Sequence, residues 1–337
     1  ELREDLKRLG HQFQTQSDTE VLLAAFAEWG VECLEKLIGM FAFAILDTER
    51  RVVTIARDPF GIKPLYLARH QDGLAFSSEP IPLLRLPGVS KQYRDQSVFD
   101  FIAFRSLDIG AGTFLQNIQR IEPGVYHEID LRTLAVSSAQ SYWAPPKEVK
   151  ISSRDQAIEL FRTSFLESVK LHLRSDAPVG VALSGGLDSA AIACAIHHLE
   201  PQLELPAFSY IPSNSALSEE PYIDALADHL SLRVHKVSLD ESSVVDGLED
   251  MLRIQGEPFS TPSMVAQKEV FRAARNAGIK VLLEGQGADE ILGGYPFYRG
   301  SLAASRFSAF EFLGASRAIQ GQGRNVALRH FSRHLAQ

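Results

Sequence analysis

From about residue 179 onward, short apolar runs alternate with amphipathic stretches, and this alternation constrains the fold more than any other feature of the sequence. Strands are predicted at residues 179–183, 205–211, 233–239 and 279–283, and helices at residues 190–199, 222–230 and 265–276. Strands that alternate with helices in this way build a doubly wound parallel sheet. Ligands of such sheets bind at the carboxyl ends of the strands, near a switch in strand order. The second part of the chain is therefore predicted to be an α/β domain with a ligand site at one edge of its sheet.

The first part of the chain, up to about residue 143, is predicted to form hairpins packed against one helix. The helix should begin at Ser17, where Ser17 and Glu20 have the spacing of a capping box, and end at Gly30. Strand pairs are predicted at residues 40–46 with 51–56, 65–67 with 74–76, and 125–130 with 134–138. Hairpins covered by a helix are typical of an α+β, sheet-on-sheet arrangement.

A short polar segment separates the two parts. Residues 143–148 contain two adjacent prolines, Pro145 and Pro146, followed by charged residues, which is typical of an exposed linker. Ser153 then caps a predicted helix whose apolar residues share one face. We place the domain boundary at this segment, with residues 1–144 in the first domain and residues 145–337 in the second.

The charge balance and the cysteine content exclude several classes of protein. The chain has 34 Lys and Arg against 42 Asp and Glu, so its formal net charge is −8, which argues against a nucleic-acid partner. Its two cysteines, Cys33 and Cys194, are too few for a disulfide framework or a cysteine-rich zinc site. No apolar run approaches the roughly 18 residues of a membrane span. These features are typical of a globular cytoplasmic protein without a membrane partner.

The sharpest motif follows the first strand of the second part and opens the next helix. Its residues are Ser184, Gly185, Gly186, Leu187, Asp188 and Ser189. The glycines let the backbone approach a ligand closely, the helix start offers free N–H groups, and the Asp188 carboxylate can hold a magnesium ion. The motif is not a Walker loop, because no lysine follows a glycine anywhere in the chain. We predict a polyphosphate site with its cation; the alternative is an ordinary glycine-rich turn.

A second cluster, residues 284–295, follows the last predicted strand. Because the carboxyl ends of parallel strands lie at one edge of a sheet, this cluster should reach the same edge as residues 184–189. Asp289 could then supply a second carboxylate to the metal ion that Asp188 binds. The alternative is a helix start enriched in acidic residues, which is common and needs no ligand.

Together, the motifs of both parts resemble the glutamine-hydrolysing asparagine synthase family, of the asparagine synthetase B type. The resemblance rests on residues 184–189 and 285–295 in the second part, and on residues 17–20, 39–44, 57–66 and 76–79 in the first. It implies an α+β Ntn-type glutaminase sandwich, present in part, followed by an α/β doubly wound parallel-sheet ATP-pyrophosphatase domain. The first domain would be a glutamine amidotransferase domain and the second would bind ATP.

The resemblance implies roles for single residues of the second domain. Residues 184–189 would bind the pyrophosphate part of ATP. Leu183 and Tyr210 would contact the adenosine through their backbones. Glu284 and Gly285 would line the nucleotide or acyl-adenylate pocket.

The resemblance also implies catalytic, metal and glutamine sites. Asp188 and Asp289 would hold Mg²⁺, and Asp289 and Gln286 would take part in forming an aspartyl-adenylate. Gln286 stands where some relatives carry glutamate, so its neutral amide can form hydrogen bonds but cannot act as a base. In the first domain, Asp18 would bind the α-amino group of glutamine; the alternative is an acid that only interacts with the helix dipole.

The sequence departs from the family at its first residue. Glutaminase domains of this type use an N-terminal cysteine, whose own amino group helps to activate the thiol, whereas residue 1 here is Glu1. Cys33 follows a predicted helix and Cys194 lies inside one, so neither is expected to replace that nucleophile. We therefore expect an internal fragment of a longer enzyme that also carries the family's synthetase lysine, and we expect the fragment alone to be inactive.

The expected reaction of the intact protein is the ATP-dependent amidation of aspartate to asparagine through a β-aspartyl-adenylate, with ammonia from glutamine. Its substrates would be aspartate, glutamine and ATP with Mg²⁺, and the resemblance allows a homodimer. Two alternatives stay open: a related amidotransferase that acts on another acid, and a catalytically dead nucleotide-binding paralogue.

Overall fold

The computed structural model describes residues 1–107, 110–146, 150–213, 218–296 and 298–308. The chain forms two compact units. The first unit contains residues 1–150 together with residues 245–262, and the second contains residues 151–244 and the chain from residue 263 onward. The alternation of strands and helices did not predict that residues 245–262 group with the first unit. The division into functional domains at residue 144/145 stays a prediction.

The first unit contains two antiparallel sheets with helices around them. Its helices are α1 (Leu2–Arg8), α2 (Asp18–Trp29), a 3₁₀ helix (Gly30–Lys36), α3 (Pro80–Leu83) and α4 (Asp95–Phe104). Its strands are β1 (Ala42–Asp47), β2 (Val52–Arg57), β3 (Tyr66–His70), β4 (Gly73–Ser77), β5 (Ile118–Arg120), β6 (Val125–Asp130), β7 (Ala135–Val136) and β8 (Gln140–Ser141). One sheet has the order β1-β2-β6-β7, with β8 also paired to β6, and the other has the order β4-β3-β5.

The predicted hairpins of the first unit are confirmed, and an apolar layer joins the two sheets. β1 pairs with β2, β3 with β4, and β6 with β7, all antiparallel. Ile55 of β2, Ile129 of β6 and Leu67 of β3 belong to one buried cluster. Because these residues come from both sheets, the unit has the sheet-on-sheet packing that the sequence predicted.

The second unit is built on a parallel sheet. Its helices are α5 (Arg154–His172), α6 (Leu187–Leu199), α7 (Glu220–Leu230), α9 (Ser263–Asn276), α10 (Ala288–Leu292) and α11 (Tyr298–Ser308), while α8 (Glu241–Gln255) runs across the division at residue 244/245. Its strands are β9 (Val179–Ala182), β10 (Ala207–Tyr210), β11 (Val234–Val237) and β12 (Val281–Leu283). The strand order is β11-β10-β9-β12, and every pairing is parallel.

Both faces of this sheet are covered, as the prediction of a doubly wound fold requires. Val181 and Ala207 point into a buried cluster that includes Ile196 of α6. Phe208, the next residue along β10, points the opposite way and packs with Val270 of α9. Since successive strand residues face opposite sides, this alternation places α6 and α9 on opposite faces.

The strand order contains one reversal of direction. From β9 the chain moves outward to β10 and then β11, and it returns to the other side of β9 with β12. The reversal point therefore lies between β9 and β12, where doubly wound sheets bind their ligands.

None of the helices in the described part of the chain combines the length and the apolar character that a membrane span requires.

Candidate active site

The two predicted loops leave neighbouring strands at the same edge of the sheet. β9 and β12 pair in parallel, with Val181 opposite Leu283, so residues 184–189 and the residues after Leu283 both emerge beside the reversal point. The loops are in contact there. A Cβ atom at Gly285 would lie 2.9 Å from Cβ of Asp188 and 3.0 Å from the backbone N of Ser189, closer than real side chains approach. The predicted meeting of the two motifs at one edge is confirmed.

The first loop is held by its own serine hydroxyls. Ser189 Oγ is buried; it accepts a hydrogen bond from the Ser184 N–H at 3.2 Å and donates one to the Gly186 carbonyl at 3.2 Å. The Ser184 and Ser189 hydroxyls lie 3.1 Å apart, and Ser184 Oγ also accepts from the Gly186 N–H at 3.3 Å. Gly185 has φ of 76°, and a Cβ atom there would lie 2.6 Å from Cβ of Glu219. The loop therefore has a defined shape that depends on glycine.

Helix α6 begins at Leu187, immediately after this loop. The first N–H groups of a helix have no acceptor within the helix, and Gly186, at the N-cap position, has no side chain to cap them. Together with the positive end of the helix dipole, these donors suit phosphate oxygens. Asp188 adds a half-buried carboxylate in the same helical turn.

Asp289 lies in the first turn of α10, after Gly287, whose φ is 93°. Its side chain packs against Gly294, and the Gly294 N–H donates to the Asp289 carbonyl at 3.0 Å. Within the described ranges, no three or more His, Cys, Asp or Glu side chains gather as they would around a metal ion. Mg²⁺ is commonly held by one or two carboxylates together with substrate phosphates. The carboxylates of Asp188 and Asp289 therefore match in type and number the ligands that a protein contributes to such a site. Their joint binding of one ion stays a prediction.

The residues around the end of β12 differ in burial. Glu284 Oε2 accepts a hydrogen bond from Nε2 of Gln267, in α9, at 3.3 Å. Burial raises the pKa of Glu284, and the hydrogen bond from Gln267 partly opposes this effect. Gln286, two residues further on, is exposed. Two different polar groups therefore follow β12: the carboxyl group of Glu284, which is protonated more easily than an ordinary glutamate, and the neutral amide of Gln286.

The backbone groups predicted to contact adenosine already take part in the sheet. The Leu183 N–H donates to the Phe208 carbonyl at 2.9 Å, and the Leu183 carbonyl accepts from Ser209 Oγ at 2.7 Å. Tyr210 is half-buried at the end of β10, opposite Val237. An adenosine contact to the Leu183 carbonyl would use that oxygen's second lone pair.

Asp18 is exposed at the first position of α2 in the first unit. Ser17 caps this helix as predicted, accepting from the Thr19 N–H at 3.2 Å. Glu20 departs from the predicted capping box, because its carboxylate accepts from the N–H groups of Gln14 at 2.7 Å and Thr15 at 2.8 Å. These bonds lower the pKa of Glu20 and shape the loop that leads to Asp18.

Comparison with known proteins identifies the family of this chain. The model of the glutamine amidotransferase domain matches residues 1–143, and the model of asparagine synthase matches residues 160–336. The chain belongs to the asparagine synthase family. The putative glutamine-hydrolysing asparagine synthetase of Mycobacterium tuberculosis (strain H37Rv) is 36% identical over 317 residues, which are 91% of this chain and 47% of that protein.

Two further relatives widen this comparison. Glutamine-hydrolysing asparagine synthetase 1 of Bacillus subtilis (strain 168) is 32% identical over 311 residues, covering 91% of this chain and 48% of that protein. Amidase chry2 of Gibberella zeae is 30% identical over 305 residues, covering 86% of this chain and 44% of that protein. The chain spans about half the length of these curated relatives.

The two cysteines of this asparagine synthase family member lie in different surroundings, and the expectation that neither replaces the glutaminase nucleophile stays a prediction. Cys33 is buried in the 3₁₀ helix, and burial raises the pKa of its thiol to about 11. The thiolate is the reactive form of cysteine, and the raised pKa disfavours it at Cys33 near neutral pH. Cys194 is exposed on α6, in the second unit.

The sequence interpretation missed the buried polar core of the turn after β2. Asp58, 1% exposed, accepts hydrogen bonds from the N–H groups of Phe60 at 3.1 Å, Ile62 at 3.0 Å and Lys63 at 2.9 Å. The neighbouring Arg57 donates to three backbone carbonyls. Two buried neighbours, Arg57 and Asp58, thus hold the backbone at the start of residues 57–66, one of the segments on which the family resemblance rests. Two adjacent residues of opposite charge directly after an apolar strand were the sequence signal that could have indicated this.

Proposed function

We propose that the protein to which this chain belongs makes asparagine from aspartate, using ATP and the ammonia released from glutamine. The β-carboxylate of aspartate attacks the α-phosphorus of ATP, and the bond to pyrophosphate breaks. Ammonia then attacks the β-aspartyl-adenylate, which yields asparagine, AMP and a proton. The observation that carries this proposal is the contact of Gly285 with Asp188, which joins the two motif loops at the reversal point of the sheet.

The first loop would stabilise the charge that develops on the leaving pyrophosphate. The N–H groups at the start of α6 would donate to phosphate oxygens, and the serine hydrogen bonds within the loop, which fix its shape in advance, support this role. Asp188, with Asp289, would hold Mg²⁺, which neutralises phosphate charge when bound. The nucleotide pocket would be lined by Leu183, Tyr210 and the backbone of Gly285.

Gln286 would orient the reacting groups without accepting a proton. Its amide is neutral and exposed, and Gln286 directly follows Gly285, which contacts the start of α6. It can donate to the aspartate carboxylate and accept from ammonia. The proton released when ammonia attacks must therefore leave through another group or through water.

The first unit would supply ammonia in the complete protein, with Asp18 binding the α-amino group of glutamine. Asp18 is exposed and follows the loop at residues 14–17, which the hydrogen bonds of Glu20 hold in place. This placement supports a role in which the Asp18 carboxylate contacts a ligand. We expect Asp18→Ala to weaken glutamine-dependent synthesis and to leave ammonia-dependent synthesis nearly intact. The two free cysteines are consistent with a cytoplasmic protein.

Pyrophosphate release tests the proposal directly. The full-length protein, given aspartate, ammonia and Mg-ATP, should release pyrophosphate, and Asp188→Asn should abolish this release. Asp155→Asn is the matched control, because Asp155 also lies in the first turn of a helix, α5, away from the two motif loops. Release that is equal in wild type and Asp188→Asn would contradict the role of this loop.

An amidotransferase that acts on another acid is the second candidate. It is supported by the 30% identity to amidase chry2, a relative whose name does not specify asparagine. A panel of carboxylic acids, each assayed with Mg-ATP and ammonia, separates the two functions. Tight Mg-ATP binding without pyrophosphate release for any acid would instead indicate a non-catalytic nucleotide-binding protein.

A further inference from the structure

The loop at residues 14–17 precedes α2 and is held by a carboxylate of that helix. Glu20 accepts through Oε1 from the Gln14 N–H at 2.7 Å and through Oε2 from the Thr15 N–H at 2.8 Å. The Thr15 hydroxyl also donates to Glu20 Oε2, at 2.7 Å, and accepts from the Ser17 N–H at 3.1 Å. One side chain of α2 therefore binds the loop through both its backbone and its hydroxyl group.

Arg3 of α1 holds the same loop from the other side of its backbone. Its Nη1 donates to the Thr15 carbonyl at 2.7 Å, and its Nη2 donates to the Ser17 carbonyl at 2.8 Å. The guanidinium group also lies over the Phe13 ring, 4.7 Å from the ring centroid. Because a guanidinium group is a rigid, planar fork, the two hydrogen bonds fix both carbonyls together. The loop is thus bonded to Glu20 through its N–H groups and to Arg3 through its carbonyls.

The Asp18 side chain depends on this loop for its position. Asp18 is exposed and directly follows Ser17, whose hydroxyl caps α2 and whose carbonyl accepts from Arg3. Among the described residues, none forms a hydrogen bond or an ion pair with the Asp18 carboxylate. A side chain without such a partner takes its direction from the backbone that carries it. A shift of residues 14–17 would therefore move this carboxylate.

We propose that Arg3 and Glu20 are positioning residues for the glutamine site: by holding residues 14–17, they set the direction in which the Asp18 carboxylate meets the α-amino group of glutamine. This inference deepens the proposed function and rests on the glutamine-binding role given there to Asp18. An ammonium group and a carboxylate form a charge-assisted hydrogen bond, whose strength depends on distance and angle. A purely structural role of Arg3 and Glu20 would affect folding without acting through Asp18.

Glutamine hydrolysis by the full-length protein tests this proposal. Glu20→Ala and Arg3→Ala should each raise the KM for glutamine about tenfold, the size expected when a hydrogen bond to a charged group is weakened. The kcat should stay within about twofold, because the α-amino contact is made equally before and during the reaction. Synthesis from added ammonia should not change. Glu20→Gln keeps one side-chain oxygen as an acceptor, so its KM should rise less than that of Glu20→Ala.

A double-mutant cycle separates positioning from general destabilisation. If Glu20 acts through Asp18, adding Glu20→Ala to Asp18→Ala should not raise the KM for glutamine beyond the value of Asp18→Ala alone. The matched control is Glu28→Gln, in the same helix. Glu28 bonds to His11 at 2.9 Å, outside residues 14–17, so this change should leave the KM for glutamine unaltered.

The possible results distinguish the positioning role from the proposed function. An unchanged KM in Glu20→Ala while Asp18→Ala raises it, or effects of the two changes that simply add, would overturn the positioning role and leave the glutamine site in place. An unchanged KM in Asp18→Ala, or a wild-type protein that does not hydrolyse glutamine, would contradict the proposed function and this inference with it. If Glu20→Ala does not fold, Thr15→Val replaces it, because it removes only the hydroxyl between Glu20 and the Ser17 N–H. The same expected and contrary results apply to that variant.

Discussion

Gln267 donates a side-chain hydrogen bond to Glu284, with 3.3 Å between Nε2 and Oε2, and this bond joins α9 to the end of β12. Burial of Glu284 raises its pKa more than the hydrogen bond lowers it. The folded state therefore favours the protonated carboxyl group. In the pH range between the unfolded and the folded pKa, the native state binds more protons than the unfolded state, so stability falls as pH rises.

Glu284→Gln should therefore raise stability at about pH 8 and have little effect near pH 3, which lies below the ordinary glutamate pKa, so that the wild-type group is largely protonated in both states. The glutamine oxygen keeps an acceptor for Gln267 while the buried charge is lost. Because the carboxyl group is partly exposed, the gain is on the order of a few tenths of a kcal/mol. Thermal unfolding at both pH values measures it. Glu167→Gln, an exposed glutamate of α5, is the control, and an equal pH response there would refute the explanation.

Gly285→Ala should disrupt the contact between the two motif loops. Its Cβ atom would come within 2.9 Å of Cβ of Asp188 and 3.0 Å of the Ser189 N, so the second loop must move. We expect a loss of about 1–3 kcal/mol in the free energy of unfolding, typical of overpacking, and much weaker Mg-ATP binding. Urea titration and calorimetry measure the two effects.

The control for Gly285→Ala is Gly278→Ala, in the turn between α9 and β12. A Cβ atom there meets nothing within 4 Å, although φ of 81° makes the substitution strained. It should cost about 1 kcal/mol or more through the backbone alone and leave Mg-ATP binding unchanged. Equal loss of binding in both variants would show that general destabilisation, not the loop contact, explains the effect.

Asp58→Ala should destabilise the first unit strongly. The change leaves three N–H groups in the turn after β2 without the carboxylate that accepts from them, in a place where Asp58 is 1% exposed. Hydrogen bonds to a charged group each contribute about 1.5–3 kcal/mol, so a loss of about 3 kcal/mol or more is expected. Asp72→Ala, at an exposed turn, is the control. A shift of less than about 1 kcal/mol would contradict the role given to Asp58.

Thiol labelling should distinguish the two cysteines of the native protein. Cys194 is exposed and should react with a thiol reagent at pH 8, whereas Cys33 is buried with a pKa of about 11 and should not react. Reactivity of Cys33 should rise only as the pH approaches that pKa or as the protein unfolds. In Cys194→Ser, labelling at pH 8 should disappear until denaturant is added. Rapid native labelling of that variant would show that Cys33 is accessible.

Local sequence signals predicted the strands and the first motif loop well, because both depend on neighbours along the chain. The apolar run at residues 179–183 forms β9, and the glycines after it open α6 as expected. The capping box at Ser17 was only half right, since Glu20 bonds to Gln14 and Thr15, which approach it through the fold of the preceding loop. The capping-box spacing relates residues within the first turn of a helix, so it cannot predict a hydrogen bond to the loop before the helix.

Contacts between distant parts of the sequence could not be predicted in this way. Nothing local to Gln267 marks it as the partner of Glu284, and Glu257 resembles any other acid after a helix until Arg120 and Phe114 are brought beside it. The pairing of β9 with β12 is equally non-local: a parallel sheet was predicted, but its strand order follows from packing on both faces. The candidate site could therefore be predicted as two motifs at one edge, without the side chains that support it.

The neighbouring positions of β9 and β12 also have a consequence for biosynthesis. Val179 and Val281 pair across a separation of 281 − 179 = 102 residues. During translation, β9 therefore leaves the ribosome on the order of 10 s before β12, at about 5–20 residues per second. Until then, one side of β9 is an unpaired strand edge that other chains can join. Folding yield should consequently depend on how quickly β12 pairs with this edge of β9. Slower elongation between the two strands should favour aggregation over completion of the sheet.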